Sequence, residues 1–169
     1  MKKSILALVS VITLLVACGD KKKTTSTESS ASPETTGLTV NEDDGKTGSF
    51  SADGADFKGK SSTQYFGDKV TGQFSVLCQQ DEPLALLQAV FANEKEATGT
   101  LKPIEGFMSI PAGEAHVTLS GTAIGDKQFV TKSNSTGTIT LEGKKMIIKD
   151  LKLFNSDNKE KVVTANIEF

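Results

Sequence analysis

Arginine and tryptophan are missing from these 169 residues, and tyrosine and histidine occur once each, as Tyr65 and His116. All 19 basic residues are lysine. Arginine supplies the planar fork that grips phosphates and base edges, so its absence argues against a nucleic-acid partner. The net charge of −2 leaves no basic stripe to replace it. A single tyrosine without tryptophan gives no aromatic platform for carbohydrate. One histidine cannot complete a zinc site without several convergent carboxylates. No Gly-x-Ser-x-Gly elbow or paired-histidine motif occurs. These absences predict a non-enzymatic protein with no catalytic residues, metal or cofactor.

Cysteine is also scarce, with only Cys18 and Cys78. Cys78 ends an alternating apolar row, which predicts a small buried core residue. A reactive thiol needs an electropositive neighbour, and the sequence offers none. The domain is therefore expected to hold together by burial rather than by disulfides.

What is present begins at the N-terminus. Lys2 and Lys3 precede an apolar run from Ile5 to Val16, broken by Ser10 and Thr13. That run has the length of a signal-peptide core and is too short to span a bilayer. It ends at Leu15-Val16-Ala17-Cys18-Gly19. This segment resembles the lipobox of bacterial lipoproteins, with Leu15, Ala17 and Cys18 at the matching positions. The resemblance implies cleavage before Cys18 and acylation of Cys18, and hence a lipid bilayer as a partner through two or three acyl chains. Removing residues 1–17 leaves 152, enough for a tether and one domain. In enteric-type sorting, aspartate directly after the cysteine retains a lipoprotein in the inner membrane. Here that position is Gly19, followed by Asp20 and then Lys21-Lys22-Lys23 rather than an acidic export run. The resemblance thus points to the cell envelope, on the periplasmic face of an outer membrane.

Residues 18–47 read as the lipidated cysteine and a disordered tether. Serine and threonine dominate 24–36, and few apolar residues are available to offset ordering entropy. Residues 41–45 look superficially like a calcium loop but lack its alternating aspartates and distal glutamate. A solvated acidic linker is the better reading.

From Gly48 short β-rich runs alternate with glycine, aspartate and asparagine. Strands are predicted at 49–52, 56–66 and 69–79, with a turn at Asp53-Gly54. The apolar stretch 84–91 is read as a doubly buried strand rather than a helix, with a helical turn at 93–97. The run 114–120 places Ala115, Val117 and Leu119 inward. Glu114, His116 and Thr118 then lie on a polar outer face, where His116 is expected to be solvated. Residues 127–131 form another short strand. The strands 138–142, 145–154 and 161–169 form a closing meander. A phase change between Ile148 and Leu151 predicts a β-bulge near Lys149-Asp150. The fold class is all-β: an antiparallel β-sandwich or partly open barrel of about eight to ten short strands. A lipocalin-like barrel is the rival, although the Gly-x-Trp of that family is missing.

The candidate contact residues are Phe107, Met108 and Ile110, apolar positions in a segment bracketed by Pro103 and Pro111. Two readings compete. The segment either folds over an open end of the β-domain as a plug, or forms an exposed rim for an envelope protein or a small apolar ligand.

Overall fold

The structure is a computed structural model that describes residues 38–41 and 45–169, with backbone alone for 38–41. The expected signal segment, Cys18 and the Ser/Thr-rich span lie outside the described residues. The described chain is strand and turn, with no helix. Its strands are β1 (Leu38–Asn41), β2 (Thr47–Ala52), β3 (Ala55–Phe66), β4 (Gln73–Gln80), β5 (Ala85–Phe91) and β6 (Gly99–Pro103). They continue with β7 (Glu114–Ser120), β8 (Phe129–Val130), β9 (Thr138–Glu142), β10 (Lys145–Phe154) and β11 (Glu160–Glu168).

Nine strands close into a barrel in the order β3-β2-β11-β10-β9-β6-β7-β5-β4 and back to β3. The strand β3 is the seam. Its first half, up to Lys60, pairs with β2, and its second half, from Lys60, pairs with β4 on the opposite edge. A strand of 12 residues is long enough to do both. This accounts for the closure that a partly open barrel or sandwich would lack. All pairs are antiparallel except β6–β7. The strand β1 continues along β3 beyond β2, with Leu38 opposite Phe66 and Asn41 opposite Thr63. The domain boundary expected at Gly48 therefore moves earlier, because β1 and the start of β2 fall inside the span read as tether.

Local chemistry sets these pairings. Asp53 and Gly54 both take positive φ, 50° and 83°, so the Ala52–Ala55 pair closes through a two-residue turn whose twist suits a hairpin. Glycine also lets two backbones approach at Gly59, where a Cβ would fall on the Gln79 carbonyl. The expected bulge is present. The register of β10 against β11 shifts between Ile148 and Leu151, and Asp150 takes φ 50°. The meander β9-β10-β11 carries the inward row Val163, Ala165, Ile167 and Phe169.

Two segments differ from expectation. The strand predicted from Lys69 starts at Gln73, because the Asp68 side chain accepts the Val70 and Thr71 N–H groups and turns the chain. The stretch read as strand at 84–91 is strand from Ala85 to Phe91, as expected. Residues 94–96 form a single turn rather than a helical segment, held by Glu96 N–H donating to Asn93 Oδ1 at 2.9 Å.

The interior is filled. Leu87, Val117, Leu119, Ile139, Met146, Ile148, Leu151 and Leu153 expose no surface. A ring cluster fills one end, with Phe74 5.3 Å from Tyr65, 6.0 Å from Phe91 and 5.9 Å from Phe169.

Candidate functional site

After β6 the chain leaves the barrel wall and returns at Glu114. Ile104 is still tied to it, with its N–H donating to the Ala115 carbonyl at 2.9 Å. The Ile104 carbonyl accepts from Thr131 Oγ1 at 2.6 Å and lies 3.2 Å from His116 Nδ1. Thr131 Oγ1 also accepts the Val117 N–H at 3.1 Å, and Thr118 Oγ1 faces His116 Nε2 at 3.4 Å. Nδ1 also lies 3.0 Å from Thr131 Oγ1, and a neutral ring protonated on Nδ1 meets this pattern: Nδ1–H donates toward Thr131 Oγ1 and the Ile104 carbonyl, and Nε2 accepts from Thr118. Burial holds the His116 pKa below its usual value, against the opposing pull of the Ile104 carbonyl and the Glu105 charge.

His116 is thus no solvated surface histidine; it is 5% exposed. The alternation along β7 has the expected phase, since Ala115, Val117 and Leu119 face inward. The outward side of this wall is covered by the returning segment. Apolar residues between two prolines were the available signal that such a segment packs against something.

The three candidate contact residues separate. Ile110 is 7% exposed, buried outside the interior cluster. Phe107 and Met108 are 55% and 84% exposed. The Phe107 ring lies 6.0 Å from the His116 ring, and its carbonyl accepts from Gln73 Nε2 at 2.5 Å. The segment therefore lies along the outer wall rather than plugging the barrel, seated by Ile104 and Ile110. Gln73 pairs in register with Phe66, which is 40% exposed. Val70, in the turn between these two strands, is 77% exposed. Most of the large exposed apolar side chains thus gather at one end of the barrel.

Sequence reasoning missed a polar cluster near that end. Tyr65 donates to Glu94 Oε2 at 2.7 Å, and Lys144 Nζ to Oε1 at 3.0 Å. The Tyr65 hydrogen bond, then that of Lys144, holds the Glu94 carboxyl below its usual range. A carboxylate kept ionised by fixed partners braces loops and is a poor proton donor at neutral pH. Its members are 29 and 50 positions from Glu94, so no local pattern announces it.

Cys78 is fully buried, and burial pushes its thiol up to about 11, a core residue rather than a nucleophile. Among the described residues no group of three or more His, Cys, Asp or Glu could hold a metal. Gly54, Gly59, Lys60 and Ser61 have the spacing of a phosphate-binding loop, Gly-x-x-x-x-Gly-Lys-Ser. Residues 55–61 of that segment lie in strand β3, their backbone groups engaged by β2 and β4 and with no helix following, so the spacing is a chance match. One surface cleft is lined by Lys58, Lys60, Gln79 and Glu168. Comparison with protein-family models, with curated proteins and with solved structures finds no match for this chain.

Proposed function

We propose that the chain is a lipid-anchored envelope protein whose barrel is a non-enzymatic binding module. The anchor reading is supported by Leu15-Val16-Ala17-Cys18 behind a lysine-led apolar run. It places Cys18 in the bilayer of the cell envelope, with the outer membrane's periplasmic face as the expected site. The binding reading is carried by one observation: the interior is occupied by its own side chains, while Phe107 and Met108 stand exposed on the outer wall. Contact surfaces of this kind recruit partners by burying apolar area.

The competing reading is a lipocalin-like carrier of a small apolar ligand, which a closed barrel suits in outline. It would require side chains such as Leu87, Met146 and Leu153, which expose no surface, to part around the ligand.

Two measurements test the proposal. Cys18→Ser should move the protein from the detergent to the aqueous phase in detergent partitioning; a substituted protein that stays in the detergent phase overturns the anchor. Native mass spectrometry of protein extracted from membranes should give the mass of the acylated chain alone. A stoichiometric added mass of an apolar molecule replaces the binding-module reading with the carrier.

A further inference from the structure

Resting on the anchor reading, we propose that the end of the barrel bearing Phe66, Val70, Phe107 and Met108 docks on the bilayer that holds Cys18. These apolar side chains would enter the membrane interface. The occupant follows from where the chain enters the fold. The strand β1 begins at Leu38, opposite Phe66, and runs away from that end to Asn41, opposite Thr63. The sequence leading from Cys18 therefore joins the barrel beside the exposed apolar side chains and not at the opposite end.

Twenty positions separate Cys18 from Leu38. Whatever their path, they span at most ~70 Å. A domain held so close meets the surface at an effective concentration on the order of millimolar, so a weak contact is well populated. The same end gathers the contact residues. The turn after β3 carries Val70. Gln73, paired with Phe66, bonds the carbonyl of Phe107, which joins this turn to the tip of the outer-wall segment. The outer-wall segment is anchored behind its tip by Ile104 and Ile110, so Phe107 and Met108 are presented on a fixed support.

Charge at this end is mixed, with Asp68 next to Lys69 and Glu94 paired to Lys144. Lys69 carries its ammonium over the Tyr65 ring, 5.3 Å from the centroid. Docking is accordingly driven by apolar insertion, and a zwitterionic bilayer suffices. Side chains of this type settle about 5–10 Å into the boundary between headgroups and acyl chains.

The absence of tryptophan makes the test clean, because one substitution introduces the only indole. The probe is acylated protein carrying Phe107→Trp, reconstituted in phosphatidylcholine vesicles with brominated acyl chains. Ser156→Trp, in the exposed turn between β10 and β11 at the other end, is the comparison. Docking predicts blue-shifted emission and severalfold quenching for Phe107→Trp and for the neighbouring Met108→Trp, with neither effect for Ser156→Trp. Protein that floats with the vesicles but leaves the indole at 107 and 108 unquenched overturns docking while keeping the anchor. A blue shift without bromolipid quenching points to a protein surface or a second copy as occupant, and also overturns it. Equal quenching at both ends means no preferred orientation and refutes the proposal. Protein that does not float at all removes the anchor, and docking with it.

Discussion

The buried histidine gives the sharpest test of the outer wall. His116 is the only histidine in the chain. Between pH 7 and pH 5 it is the one side chain whose ordinary pKa brings a charge change. In the folded state burial lowers that pKa from its usual 6.5. The unfolded chain therefore binds the proton first as pH falls. Stability is full above about pH 6.5 and declines below it, down to the lowered pKa of the folded state. The steepest slope one group can give is about 1.4 kcal/mol per pH unit. Protonation makes Nε2 a donor toward Thr118 Oγ1, at a long 3.4 Å, and puts a charge where the ring is 5% exposed. Asp53, Asp68, Glu94 and Asp157 also have lowered pKa values, but their contributions are lost only in the more acid carboxylate range. The assay is a urea melt at half-unit intervals from pH 7.5 to 5.0. The parent protein should lose stability below about pH 6.5, and His116→Phe should start lower by about 1 kcal/mol and stay flat. A flat parent profile, or an equal slope in His116→Phe, refutes the buried neutral ring.

Phe107→Ser should cost under about 1.5 kcal/mol, the scale of one aromatic contact; a loss of 3–5 kcal/mol, as for a core phenylalanine, would mean the ring is a plug. Ile167→Asp should be severely destabilising, because it places an unpaired charge in a fully buried position. Glu168→Ala, one residue on and facing solvent, should change the melt by about half a kcal/mol or less; equal costs would mean the β11 register is wrong. The Cys78 thiol should not react with an aromatic disulfide reagent at pH 8 in the folded protein and should react on denaturation; fast native labelling would place the sulfur at the surface.

Much of the barrel was legible because half-buried strands print their phase in the sequence. Val163, Ala165 and Ile167 show it in β11, and the broken phase of Ile148 and Leu151 disclosed the bulge. The Asp53-Gly54 hairpin was legible because few residue pairs tolerate two positive φ values. Closure was not, because it depends on β3 pairing with β2 and β4 at once, and a strand's own residues do not name its partners. Burial of His116 was missed for a related reason. Alternation says which way a side chain points and not what arrives later to cover it. The Tyr65–Glu94–Lys144 cluster joins a strand to two turns far apart in sequence, so no local pattern shows it.

The placement of β1 also fixes how tension enters the molecule. A pull on the chain ahead of Leu38 acts on a strand laid antiparallel along the end of β3. Antiparallel ladder bonds stand perpendicular to the strands, so a pull along β1 strains them together rather than peeling them in turn. Beyond β1 the chain continues into β2, which is bonded on one side to β3 and on the other to β11. Drag on the domain is therefore met first in shear by β1, laid on the half of β3 whose other edge is the seam with β4, and then by a strand clamped on both edges.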